Sequence, residues 1–254
     1  MPGRRVPGRV RTVGILGGMG PAATIALQRL VLDGITADDD RDHVPLLVDM
    51  NPQVPSRIAR LIDGDGDDPE PTLVAMARRL ERAGAEALAM PCNTAHHYAP
   101  AIRAAVAIPL LDMIALAVDA AHALTGENDA VGLLGSPASA SLRLFDDPLV
   151  TRARVPLWPA DPAGPLAAIR RIKAGGPGEE ARRLIATASA ELAGRGAVVQ
   201  IVACTEFSTL DGAAAPGVRT VDALDRLADA IVAFATGSER RAPGLRDRNP
   251  GHDL

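Results

Sequence analysis

Two stretches of this chain repeat each other at a fixed distance. Residues 80–92 read L-E-R-A-G-A-E-A-L-A-M-P-C, and residues 192–204 read L-A-G-R-G-A-V-V-Q-I-V-A-C. Leu80/Leu192, Gly84/Gly196, Ala85/Ala197 and Cys92/Cys204 each stand 112 positions apart (204 − 92, 196 − 84). The chain has only 2 cysteines, and the repeat sets them at equivalent places. A second echo joins V-G-I-L-G-G-M at 13–19 to V-G-L-L-G-S-P at 131–137. Both are apolar β-type runs that end in glycine or serine, the pattern of a buried strand entering a tight loop. A chain doubled in this way is constrained to fold as two similar units, and 254 residues are enough for two cores.

Strand-like runs alternate with helical patterns in both copies, which predicts an α/β fold: two similar lobes, each a parallel sheet flanked by helices. Strands are expected at 10–16, 45–50, 87–90 and 108–113, and again at 130–134, 154–158, 198–203 and 220–222. Helices are expected at 24–34, 71–83, from about 94, 114–124, 166–173, 179–193 and 223–236. The first lobe is drawn as 10–107 with 217–238 and the second as 108–216, with 1–9 and 239–254 as disordered tails. Two such lobes imply a pseudo-twofold axis. Parallel sheets bind ligands beyond the carboxyl ends of their strands, and both cysteines fall at such ends. The expected active site is therefore an interlobe cleft that the two sulfurs approach from opposite sides.

Two mirrored thiols suit one kind of chemistry. A thiol titrates near 8.5, and a helix N-terminus or a cation lowers that value. One thiolate and one thiol on opposite faces of a carbanion remove a proton from one side and return one to the other, which inverts a stereocentre. Asn93, Thr94 and Thr205 carry short polar side chains beside the cysteines, able to hold a carboxylate with backbone N–H groups at the helix starts.

Composition narrows the field. A net charge of −4 and few aromatics (1 Trp, 1 Tyr, 3 Phe) argue against a nucleic-acid partner. No apolar run approaches the roughly 20 residues that span a bilayer, so no membrane partner is expected. The arginine-rich first 11 residues lack the apolar stretch of a secretory signal. Two cysteines are too few for a disulfide framework, so a cytoplasmic protein is expected. Rival readings of single motifs are weaker. Cys92 and His96 have a metal-like spacing but no second ligand pair in sequence. Gly18 to Ala23 fits a dinucleotide glycine fingerprint, yet the aspartates that follow precede the second strand instead of ending it.

The same residues resemble the aspartate/glutamate racemase superfamily, in its cofactor-independent amino-acid racemase branch nearest aspartate racemase. The matching stretches are G-I-L-G-G-M-G-P-A-A-T at 14–24, D-R-D-H at 40–43, N-P-Q-V-P-S-R at 51–57 and A-M-P-C-N-T-A-H at 89–96. They continue with P-L-L-D-M-I at 109–114, I-R-R-I-K at 169–173 and A-C-T-E at 203–206. The resemblance implies an isomerase that racemises an amino acid (aspartate, glutamate or a broader set), with Cys92 and Cys204 as paired acid and base. It implies no cofactor, neither pyridoxal phosphate nor metal. Met19, Gln53, Asn93, Thr94 and Thr205 would line the substrate site, with Arg57 and Lys173 binding its carboxylate. Glu206 is placed with the substrate ligands, or else caps the following helix. A homodimer is implied as well. Where the family has a Thr-x-Gly-Thr-like stretch and later a tyrosine, this chain reads Ser136-Pro137-Ala138-Ser139 and Phe145, a change expected to reshape one wall of the cleft. Other enzymes of the scaffold (hydantoin racemase, maleate isomerase or arylmalonate decarboxylase type) and a non-catalytic amino-acid-binding protein are the alternatives.

Overall fold

A computed structural model describes residues 9–210, 212 and 214–238. The proposed tails at 1–9 and 239–254 lie almost wholly outside the described residues. The chain divides into two units, the first running to Leu116 and resuming at Leu224, the second spanning Ala117–Ala223.

The first unit holds a four-stranded parallel sheet made of β1 (Val13–Gly17), β2 (Leu46–Met50), β3 (Ala87–Ala89) and β4 (Leu110–Leu111), in the order β2-β1-β3-β4. Around it lie α1 (Pro21–Asp33), α2 (Glu70–Arg82) and α3 (Ala99–Ala105), and α4 (Met113–His122) carries the chain into the second unit. There β5 (Ala130–Gly135), β6 (Val155–Leu157), β7 (Ala197–Ala203) and β8 (Thr220–Asp222) form a second parallel sheet in the order β6-β5-β7-β8. Its helices are α5 (Pro137–Ser141), α6 (Asp146–Thr151), α7 (Ala163–Gly175) and α8 (Glu179–Gly194), and α9 (Ala223–Thr236) returns the chain to the first unit. Each sheet takes its strands in the order second, first, third, fourth. The doubling seen in sequence is a doubling of topology.

The packing explains which residues repeat. Leu73, Met76, Ala77 and Leu80 form the buried face of α2, at the spacing that puts residues on one side of a helix. A methyl group on Gly14 of β1 would lie 2.9 Å from Cβ of Ala85 and 3.0 Å from Cβ of Leu80. In the second unit a methyl on Gly132 of β5 would meet Ala197 at 3.2 Å and Leu192 at 3.3 Å. The repeated leucine and alanine therefore press on a strand that only glycine lets them approach. Gly84 and Gly196, at φ of 99° and 92°, end the preceding helices in a backbone conformation that glycine adopts without strain.

The copies differ at one buried pair. Ala77 and Leu88 are apolar and without exposed surface, and 112 positions later stand Ser189 and Gln200, equally buried. The Ser189 hydroxyl donates to Gln200 Oε1 at 2.7 Å, and Gln200 Nε2 donates to the Ser189 carbonyl at 2.8 Å. The Ser189 hydroxyl oxygen also accepts the Ala215 N–H at 2.9 Å, so a hydrogen-bonded polar group stands where the first copy has two apolar residues.

Several boundaries differ from expectation. Residues 108–116 belong to the first unit and 217–223 to the second, the reverse of the lobes drawn from sequence, because β4 pairs with β3 and β8 with β7. Helix α1 starts at Pro21, three residues early, since proline suits a first helical turn. Residues 137–151 form two short helices, and β4 has only two residues.

Candidate active site

In the first unit, β3 ends at Ala89, and Met90, Pro91 and Cys92 follow it past the carboxyl edge of the sheet. Cys92 is 7% exposed, and its N–H donates to the Met90 carbonyl at 2.8 Å. A 3-10 turn (Thr94–Tyr98) follows in place of the expected α-helix, which begins only with α3. Pro100, in the first turn of α3, has no N–H for a carbonyl four residues back, so the chain before it tightens.

Asn93 does not cap this turn. Its backbone is already helical (φ −59°, ψ −51°) and its side chain makes no capping bond. The side chain is buried, and neither Nδ2 nor Oδ1 has a hydrogen-bond partner among the described residues. A buried amide left unpaired costs about 1–3 kcal/mol for each group. Next to a thiol, such an amide is a ready donor and acceptor for a ligand.

His96 is used differently from the metal ligand considered above. Its Nδ1 lies 2.9 Å from the Cys92 carbonyl oxygen, and its Nε2 accepts the Met113 N–H at 3.2 Å. The proton therefore sits on Nδ1. Burial holds the imidazole below its ordinary basicity, outweighing the upward pull of the Cys92 carbonyl and of the Asp112 charge. Asp112 accepts the N–H groups of Ile114 and Ala115 at 3.0 Å each, and pairs with Arg103 at 2.6 Å. Burial raises the Asp112 carboxyl, but these bonds and the Arg103 charge hold it below its usual range. His96 was missed in sequence as a positioning residue; its spacing of four from Cys92 carried the signal. Among the described residues no group of three or more His, Cys, Asp or Glu is placed to hold a metal ion.

The loops after β1 and β2 meet backbone to backbone. Gly18 has φ of 94°, and a methyl there would lie 2.3 Å from the Asn51 carbonyl carbon. Met19, 2% exposed, sits in this turn, and its carbonyl accepts Arg57 Nη2 at 3.1 Å. Arg57 Nη1 donates to the carbonyls of Pro55 at 2.9 Å and Val54 at 3.4 Å, while the buried Nε has no hydrogen-bond partner among the described residues. The guanidinium is thus first a clamp between loops, a different use from the carboxylate ligand expected of it, with one donor left over. Gln53 is exposed, and its N–H donates to Asn51 Oδ1 at 3.0 Å.

In the second unit, Cys204 follows directly on β7 and is 7% exposed. Its thiol donates to Glu206 Oε2 at 3.1 Å, and Glu206 Oε1 pairs with the Lys173 ammonium from the last turn of α7. Burial, then the Glu206 charge and its hydrogen bond, raise the Cys204 thiol well above its usual value; Lys173 opposes them. Either cysteine was open to hold the thiolate; at Cys204 a 3-10 turn (Phe207–Thr209) and a carboxylate stand where a helix N-terminus was foreseen, and they favour the thiol. Glu206 makes no capping bond. Thr205 is buried and Thr94 half-buried. Ser136 caps α5 by accepting the Ser139 N–H at 3.2 Å, and Phe145 is fully buried in its unit's core.

The comparisons fit this arrangement of strands. The profile of the Asp/Glu/Hydantoin racemase family matches residues 16–231. The chain belongs to that family. Among curated relatives, the broad specificity amino-acid racemase RacX of Bacillus subtilis is 32% identical over 108 residues, 40% of this chain and 45% of the relative. The chain thus spans under half the length of that curated relative. Among solved structures, an aspartate racemase of Picrophilus torridus superposes with a TM-score of 0.77 at 24% identity, covering 91% of this chain and 96% of that one. An aspartate racemase homologue of Pyrococcus horikoshii gives 0.66 at 18%, covering 89% and 99%. At these identities the likeness establishes the fold, two parallel four-stranded sheets flanked by helices.

Proposed function

We propose that this chain racemises an amino acid without a cofactor, using Cys92 and Cys204 as the two acid–base groups. The observation that carries the reading is Asn93: a buried amide beside a thiol, with donor and acceptor both unpartnered. A substrate carboxylate and ammonium supply what that amide lacks. A carboxylate is also the complement of the spare Arg57 Nε–H. Removal of an α-proton leaves charge that spreads onto the carboxylate, so donors placed there stabilise the transition state more than the ground state. Cys92 in its thiolate form takes the α-proton and becomes S–H, and Cys204 gives its own proton to the other face and becomes the thiolate. In the reverse direction the two exchange roles.

The relatives, an aspartate racemase and a broad specificity amino-acid racemase, set the first substrates to try. A homodimer is part of the same proposal. The test is a screen of all L-amino acids in deuterated water, read by mass spectrometry and chiral chromatography. Solvent deuterium should appear at the α-carbon of the inverted product. Turnover of hydantoins or arylmalonates with amino acids untouched would replace this reading with another enzyme of the scaffold. Tight amino-acid binding by calorimetry without exchange would make the chain a binding protein.

A further inference from the structure

We propose that Glu206 is a positioning residue for Cys204: its carboxylate bridges the thiol and the Lys173 ammonium, so that Cys204 rests as S–H and the two thiols are chemically unequal. This rests on the racemase reading above but departs from the role given to Glu206 by resemblance. Both of its oxygens are engaged within the second unit, Oε2 by the Cys204 thiol at 3.1 Å and Oε1 by Lys173. A carboxylate so occupied is not waiting for a substrate. Its backbone is helical (φ −61°, ψ −39°), and the contact with the thiol is made by its side chain alone.

The first copy has nothing equivalent. The position 112 residues before Glu206 is Thr94, so no carboxylate follows Cys92 two residues on. The charged groups acting on Cys204 are Glu206 from its own turn and Lys173 from α7. Asp222, at the end of neighbouring β8, accepts the Ser208 hydroxyl at 2.7 Å. A thiol that donates to a carboxylate must lose that bond, and face a like charge, in order to ionise. Lys173 limits the cost without removing it.

The consequence is a bias in the free protein. Enantiomers have equal free energies, so Glu206 cannot favour one of them at equilibrium. It can favour the form with Cys92 ionised and Cys204 protonated over the form with those states exchanged. The first form accepts a proton from one enantiomer, and the second form accepts one from the other. A proton must pass from Cys92 to Cys204 after each turnover in one direction before the favoured form returns.

The test uses the wild-type chain and Glu206→Gln, with no substrate present. Iodoacetamide alkylation is followed against pH, with each cysteine resolved by peptide mass spectrometry. In Glu206→Gln the midpoint for Cys204 should fall by about one pH unit or more, a rise of about tenfold in reactivity below the midpoint. The midpoint for Cys92 should stay, and Glu206→Asp should return Cys204 toward the wild-type value. Lys173→Met should move the Cys204 midpoint up, which keeps the test available if Glu206→Gln does not fold. An unchanged Cys204 midpoint in either variant, or equal movement of both cysteines, would overturn the proposal. Since the readout needs no turnover, it stands apart from the result of the racemase screen.

Discussion

Nδ1 of His96 lies 2.9 Å from the carbonyl oxygen of Cys92, and the other nitrogen of the ring accepts the Met113 N–H. The ring ties the cysteine turn to the start of α4. Protonating it would break the second bond, since Nε2 would become a donor facing a donor. The unfolded chain titrates this group near 6.5, and burial sets the folded value lower. The unfolded state therefore takes up the proton first as pH falls. The contribution of His96 to stability is present above about 6.5 and is lost progressively below it. The melting temperature of the wild type should fall between about pH 7 and 5, and that of His96→Gln should be flatter there. Parallel curves for the two proteins would refute this.

Asn93 should trade stability for function. Asn93→Ala removes two unpartnered polar atoms from a buried place, so the melting temperature should hold or rise. If the amide meets a charged substrate, kcat/KM should drop by about tenfold to a hundredfold, the worth of one charge-assisted bond. A loss of stability with activity intact would show that Asn93 is structural.

Each cysteine should be needed for inversion but not for the same half of it. Cys92→Ala and Cys204→Ala should each lower racemisation by at least about a hundredfold, the usual contribution of a positioned acid or base. With Cys92 alone, one enantiomer should still exchange its α-proton with deuterated solvent while keeping its configuration. Full racemase activity in either variant would exclude two-thiol chemistry.

The Ser189–Gln200 pair should behave as a coupled unit. Ser189→Ala leaves Gln200 Oε1 unsatisfied in the core and takes the acceptor from the Ala215 N–H, and should cost about 1–3 kcal/mol in urea unfolding. Adding Gln200→Leu recreates the Ala77/Leu88 composition of the first copy and should recover part of that loss. A coupling energy of about 0.5–3 kcal/mol is expected from the double-mutant cycle. Strict additivity would show that the two side chains act independently.

Much of the fold was legible because the repeated residues are the ones that touch. Leu80, Gly84 and Ala85, with their partners, mark where a helix presses on a glycine-bearing strand, and such contacts leave little freedom in sequence. The residues 137–151 were harder to read, since helices of five and six residues show less than two turns of periodicity. Cys92, Cys204 and Asn93 were singled out as candidates from spacing and neighbours. Pro100 was itself the sign that the α-helix after Cys92 would start late, since proline lacks the N–H an earlier turn would need. The sequence carried no sign that Glu206 Oε2 would accept the Cys204 thiol, which depends on local geometry that residue type alone does not determine.

The shared strand order has a last consequence. In an assembly of two identical halves, any change beside one thiol is made beside both, and the pair stays indistinguishable. Joining the halves in one chain removes that obligation. Position 206 is free to carry a carboxylate while position 94 carries a hydroxyl, and Gln200 is free to depart from Leu88. One architecture, used twice in a single chain, can thus set different neighbours beside two cysteines at equivalent places.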